Sequence, residues 1–265
     1  MYIEPETASA VEDAEIATIY NEEVTWPKDT ETEIVDIINP ATGMIWMDRN
    51  LGASRVALGM ADGPAYGDMY QWGRAADGHE KRNSGTTSTK SDGDQPGHGD
   101  FIKSSGDWRT TRNNNLWQGA DGINNPCPAG YRLPTEAEWA AERASWSSDD
   151  KHGAYGTPLK LTLGGSRRNS GGYVDLSGGR GWYWSSTVDG ENAVGLYIYN
   201  YVNLGGEARA YGWSVRCIKD GIYVTPETNF SIDLAVADTY INELTLTLGT
   251  HPDATSGFDV DTDRL

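Results

Sequence analysis

No stretch of this chain approaches the run of about eighteen apolar residues that a membrane-spanning helix needs, so transmembrane helices are excluded. Nor does a basic segment followed by an apolar core open it. The expectation is a leader already removed, or exit from the cell by another route such as a virus particle. Histidine is scarce, with His79, His98, His152 and His251 the only four. None has metal-ligand spacing to another or to a cysteine, and His79 and His98 read as solvated. There is no G-x-S-x-G elbow and no P-loop. Residues 63–68 lack the strand–glycine–helix setting of a phosphate cradle. Basic side chains are also short, 21 against 39 acidic, for a formal charge of −18. The acidity lies in the flanks. Residues 1–36 carry eleven acidic side chains and one Lys, and residues 221–265 eight and one Arg, while the middle is nearly neutral. That balance argues against a nucleic-acid partner, because phosphate contacts need Lys and Arg.

What the chain does have is 32 Gly, ten Trp and fourteen Tyr. Trp and Tyr carry an apolar body with a polar handle and serve cores and interfaces alike. For most of the Trp residues the plain reading is that they fill a loop-rich core. Residues 33–38 and 44–47 are β-prone and flank the turn chemistry of Asn39-Pro40-Ala41-Thr42-Gly43, which predicts a hairpin. A polar stretch, 77–125, is too long for an ordinary connection and reads as structured loops pinned by Trp108 and Trp117. Thr135 and Glu138 form a capping-box pattern that predicts a helix, with Trp139 and Arg143 on one face and Glu136, Glu138 and Glu142 toward solvent. Further strands are predicted at 182–186, 193–203 and 212–218. Residues 230–236 and 243–249 alternate as strands of a small β-rich tail.

Three chemical readings follow from these residues. Cys127 and Cys217 are either buried free thiols or one disulfide, which would imply an oxidising environment. Asp92 with Asp94, or Asp259, Asp261 and Asp263, offer oxygen ligands for Ca²⁺, the one cofactor considered. Alternation through 193–203 sets Val194, Leu196, Ile198 and Val202 on one side, and Tyr197, Tyr199, Tyr201 and Asn203 on the other. A row of Tyr suits a binding surface, since each ring gives large contact area at little rotamer entropy. Equally, it can pack beneath a loop.

The run Gly130-Tyr131-Arg132-Leu133-Pro134-Thr135-Glu136-Ala137-Glu138-Trp139 resembles the signature of formylglycine-generating-enzyme-like domains and of the bacterial major paralogous domain. So do Trp46-Met47-Asp48-Arg49-Asn50-Leu51-Gly52, Tyr66-Gly67-Asp68-Met69-Tyr70-Gln71-Trp72-Gly73-Arg74 and Ser214-Val215-Arg216-Cys217. The resemblance implies an α+β, C-type-lectin-like fold with long loop insertions over 33–220, an acidic arm at 1–32 and a small β-rich extension at 221–265. It also implies a Cys127–Cys217 disulfide. That pairing counts against the enzyme branch, which holds copper between neighbouring cysteines. Residues 181–217 are similar to the variable region of proteins diversified by retroelements in phages, archaeal viruses and their hosts. There, template adenines are mutated, and substituted side chains on the binding face capture diverse ligands. The framework here is Trp184-Ser185-Ser186-Thr187, Asn192-Ala193, Leu196 and 209–217. This implies a non-catalytic display protein, extracellular or on a cell surface or virion. Its ligand residues would be Tyr183, Asp189, Tyr197, Tyr199, Tyr201, Asn203, Gly205 and Tyr211, with Gly206 also substitutable. Partners would be a protein or glycan receptor, a homo-oligomer or a virion assembly, with no nucleic acid and no membrane insertion.

Overall fold

A computed structural model of the chain describes residues 32–221. The expected acidic arm and β-rich tail, with Asp259, Asp261, Asp263 and His251, lie outside the described residues apart from Thr32 and Gly221. The expectation of an α+β fold of the C-type-lectin type is overturned. Among the described residues, thirteen strands form several small sheets and only two short α-helices occur. The physical reason is local. Glycine, proline and turn-forming residues break the chain every few positions, so only one segment has both a cap and enough uninterrupted helix formers to run nine residues. Among the described residues, no helix is long and apolar enough to cross a membrane.

The first sheet is ordered β1-β2-β13-β6. It joins β1 (Asp36–Ile38) and β2 (Ile45–Met47), the predicted hairpin, to β13 (Ile218–Lys219) and β6 (Tyr131–Arg132). The second is ordered β3-β12-β7-β8: Tyr70–Gln71, Gly212–Trp213, Ser166–Arg167 and Val174–Asp175. A short parallel pair, β4 (Thr86–Thr87) and β5 (Phe101–Ile102), sits in the polar stretch, with β5 buried. The longest strands, β9 (Gly181–Asp189), β10 (Asn192–Ile198) and β11 (Val202–Glu207), form an antiparallel sheet with β10 in the middle.

That three-stranded sheet divides the core. Trp182, Trp184 and Ala193 enter one apolar cluster, with Trp72, Trp213, Val215 and Cys217. Tyr183, Leu196, Ile198 and Val202 enter another, with Trp46, Trp139 and Leu161. Successive side chains leave a strand on opposite faces, and here both faces find a core. This explains the nearly unbroken aromatic run of β9.

Helix α1 (Glu136–Ala144) starts with the predicted capping box. Thr135 Oγ1 accepts from Glu138 N at 3.2 Å, and Glu138 Oε2 accepts from Thr135 N at 2.7 Å. The solvent assignment of its acids is corrected for two of them. Glu138 is buried and held by both terminal nitrogens of Arg132 at 2.7 and 2.8 Å. Glu142 is buried and accepts from Asn39 Nδ2 at 2.7 Å. A second helix, α2 (Lys151–Gly156), is capped by Asp150.

Cys127 and Cys217 are joined, with Cα atoms 5.9 Å apart and a sequence separation of 90. Closing so long a loop restricts the unfolded chain, by roughly 4–5 kcal/mol in the chain-entropy account. Urea unfolding with and without reductant is expected to differ by a free energy approaching that value, with reduction lowering the midpoint. An unchanged midpoint would contradict a stabilising role.

Candidate binding face

The row of tyrosines predicted on one strand is a hairpin instead. β10 ends at Ile198, Tyr199 N donates to Tyr201 O at 3.0 Å, and β11 begins at Val202. Tyr199, Asn200 and Tyr201 therefore form its tip. Register sets Tyr197 opposite Asn203 and Gly195 opposite Gly205 on one side, and Trp182 and Trp184 opposite the same two β10 residues on the other.

Trp213 is the floor of this face. It stacks on Trp184 with ring centroids 3.9 Å apart. Tyr197 meets it edge-on at 5.2 Å and Tyr211 lies over it at 6.0 Å. Its Nε1 donates to Ser166 Oγ at 3.0 Å, so the indole is fixed from behind. Tyr197 and Tyr211 are half-buried while Asn203 is exposed. Burial holds the Tyr197 hydroxyl well above its usual range, with Glu207 and Tyr211 adding to the shift, so it stays a neutral donor and acceptor. Arg168 stands near Tyr211 at the rim and pairs with Asp175 at 2.7 Å.

At the hairpin tip, Tyr201 is 65% exposed, and its ring meets Tyr199 edge-on at 6.3 Å. Arg180 lies 4.6 Å over the Tyr199 ring. Asp189 is exposed at the opposite end of the sheet, paired with Asn192. The six residue steps from Asn192 to Ile198 separate the two ends by about 20 Å at the usual strand rise. Tyr183 does not belong to the face. It is fully buried in the cluster on the other side, and its hydroxyl donates to Thr162 O at 2.8 Å. Its strand neighbours Trp182 and Trp184 point the other way, so the two-residue period could have excluded it. Arg168 and Arg180 are contributors that no local pattern marked, because each reaches a tyrosine distant in sequence.

The predicted Ca²⁺ carboxylates in the polar stretch are engaged as acceptors. Asp94 takes Arg109 and, at 3.0 Å, Asn113, while Asp92 takes Thr110 at 2.9 Å. A different group, Asp77, His79 and Glu80, brings potential ligand atoms within 4.8 Å of one another. Its hydrogen bonds account for it without a metal. Gln71 N donates to His79 Nε2 at 3.0 Å, which leaves the proton on Nδ1, 2.6 Å from Asp77 Oδ1. Asp77 Oδ2 accepts from Arg74, and Glu80 Oε2 from Gly78 N. The solvated reading of His79 is thus corrected: it is fully buried. His98 is exposed.

No family model matches the chain, and neither a curated protein nor a solved structure shows significant similarity to it.

Two predictions follow from this geometry. A Cβ at Gly195 would lie 2.4 Å from the Trp213 ring and 2.8 Å from Tyr183 O, whereas one at Gly205 would meet nothing closer than 3.7 Å. Gly195→Ala is expected to lower the unfolding free energy by about 1–3 kcal/mol, and Gly205→Ala to change it by about 0.5 kcal/mol or less. Equal effects in urea unfolding would refute the difference. For His79, burial foremost pushes its pKa down to about 4, with Arg74 and Arg167 adding to the shift and Asp77 opposing it. The unfolded state therefore binds the proton first, and stability falls as pH drops from about 6.5 to 4, on the order of 3 kcal/mol in total. The slope of stability against pH in that window should flatten in His79→Gln. Parallel curves for the two proteins would show that His79 does not carry it.

Proposed function

We propose that this chain is a non-catalytic display protein that binds a protein or glycan receptor through a diversified, tyrosine-rich face, outside the cell or on a virion. The observation that carries this reading is the division of labour around β10. Trp184, Gly195 and Trp213 form a packed floor, while Tyr199, Tyr201, Asn203, Gly205 and Tyr211 stand above it or beyond it. Side chains at those five positions can change without entering the core. The similarity of residues 181–217 to retroelement-diversified regions supports the same division, since these five are among its seven substitutable positions, with Tyr197 and Gly206, and most of its framework positions, Trp184, Ala193, Leu196 and Trp213 among them, are buried. Tyr and Asn at the exposed sites are suited to recognition, with rigid amphipathic rings beside adaptable amide hydrogen bonding. The disulfide supports an oxidising location and leaves no thiol for a copper–cysteine oxidase.

One observation favours the second reading, a structural module of a larger assembly. On and beside edge strand β1, Ile34, Val35 and Ile38 are exposed among the described residues. An apolar sheet edge of this kind invites contact with another segment or chain. It is formed by other residues than the tyrosine face, so assembly and display are compatible.

Sequencing the source genome around the coding region tests the proposal. A near-identical copy of the segment for 181–217 is expected beside a reverse transcriptase, with differences confined to template adenines and falling on codons 197, 199, 201, 203, 205, 206 and 211. Tyr183, being core, is expected to stay constant. Differences spread evenly over Trp184, Gly195 and Trp213, or the lack of any such copy, would refute diversification.

A further inference from the structure

A cavity of about 550 Å³ opens to solvent beside the hairpin tip. Leu58, Met60, Ala61 and Leu163 make its wall apolar, and Asp62 and Lys151 complete the lining with two glycines. Backbone bonds fix that wall. Leu163 N donates to Met60 O at 2.8 Å, and Gly178 N to Leu163 O at 2.7 Å. Lys151 N donates to Tyr199 O at 2.8 Å, which sets the tip against the cavity. Leu58 is 75% exposed, so a large apolar side chain stands at the mouth in contact with water.

The charge left uncompensated here is positive. Asp62 is satisfied from within, accepting from Arg55 Nη2 at 2.8 Å and from Leu58 N at 2.9 Å. Asp150 is turned to its own helix, where its Oδ1 accepts from His152 N at 2.9 Å and Gly153 N at 3.0 Å. Lys151 and Arg180 have no ion pair among the described residues. Arg180 is exposed, with its guanidinium 4.6 Å over the Tyr199 ring. The turn before it is well defined: Leu176 adopts a left-handed backbone, φ 60°, and its carbonyl accepts from both Gly179 N and Arg180 N at 3.1 Å.

An occupant of this place needs an apolar group for the cavity and negative charge for the two cations. A saccharide, even an acidic one, brings hydroxyls that a wall of Leu, Met and Ala cannot pair. An anionic bilayer offers both properties, but it presents a flat surface to a concave site and is repelled by a chain of charge −18. A polypeptide with a large apolar residue next to Asp or Glu supplies both in the right shape, an anchor in a pocket with charge complementarity at its rim. We propose that the cavity is a constant anchor for a protein receptor, taking an aliphatic or aromatic side chain whose neighbouring carboxylate is held by Lys151 and Arg180. The inference rests on the receptor-binding reading and sharpens it. Every residue of the cavity, and Arg180, precedes residue 181, so the anchor stays the same whatever stands at the substitutable positions.

Random peptides displayed on phage and selected on the immobilised full chain test this, with the affinities of the enriched peptides then measured in solution. Those peptides are expected to carry Leu, Ile or Phe beside Asp or Glu. The double variant Lys151→Glu with Arg180→Glu should weaken their binding by about tenfold, and Leu58→Glu by a similar factor. Lys90→Glu, which changes an exposed cation beside Glu191 at the far end of the sheet, should alter it by less than about twofold, which separates a local site from net charge. Unchanged urea midpoints would show that these variants fold. The proposal is overturned if no peptide is enriched, if the enriched peptides lack that pairing, or if the Lys151–Arg180 and Leu58 variants bind them as the wild type does. Binding of the full chain to phosphatidylserine vesicles that the same variants abolish would also overturn it, in favour of a membrane. The two readings fail differently. Peptides that depend on Asn203 and Tyr211 but not on Leu58 would remove the anchor and keep the tyrosine face, whereas dependence on Leu58 and Lys151 alone would keep the anchor and remove the face.

Discussion

Everything in this structure leans on the closing segment, residues 212–219, which is almost wholly buried and touches each larger sheet in turn. Gly212 and Trp213 pair as β12 with β3, and Gly212 with β7. Ser214 exchanges backbone hydrogen bonds with Trp182 and Trp184, both at 3.1 Å, and so ties β9 to β12. Val215 O accepts from Leu51 N, and Cys217 O from Met47 N, each at 3.0 Å. Arg216 donates to Asn50, Met47 O and Leu159 O, and Ile218 enters the first sheet between β2 and β6. Cys217 then fixes the strap covalently to Cys127. A segment with so many long-range partners cannot be placed until the rest is nearly assembled, which is where a covalent tether has most to contribute.

Regular structure alone would not hold so loop-rich a chain, because buried loop carbonyls need donors. Tryptophan and arginine supply them. Trp72, Trp108, Trp117, Trp139 and Trp184 each direct Nε1 to a backbone carbonyl, at 2.7–3.1 Å. Arg167 alone reaches Gly172 O, His79 O, Lys81 O and Ser84 O, while its guanidinium lies 4.3 Å from the Phe101 ring. The skewed aromatic composition thus has a structural use: an indole fills core volume and satisfies a carbonyl at once.

Local chemistry was legible in the sequence where neighbouring residues decide the outcome. The β1–β2 hairpin and the Thr135–Glu138 capping box are of this kind, as is the pinning of the polar stretch by Trp108 and Trp117. What depended on distant partners was not. Glu138 and Glu142 looked solvent-facing because Arg132 and Asn39 are contributed by other elements, and His79 looked solvated because its burial is set by Gln71 and Arg167. The fold class was misread for a related reason. One well-capped helix and a family resemblance implied more helix than a glycine-punctuated chain supports. Of the eight proposed ligand residues, four gather around Trp213 and two form the hairpin tip. Asp189 stands apart, and Tyr183 is core.

The account turns on whether the face above Trp213 is open when the protein is in its native assembly. Hydroxyl-radical footprinting of that assembly, with oxidation of each tyrosine read by mass spectrometry, measures it directly. Among the tyrosines of the described residues, Tyr201 and Tyr173, 65% and 61% exposed, should oxidise fastest, with Tyr199 and Tyr211 following, while Tyr70 and Tyr183 stay protected as their burial requires. Protection of Tyr201 and Tyr211 to the level of Tyr183 would mean that the face is an internal joint, and the display function would fall.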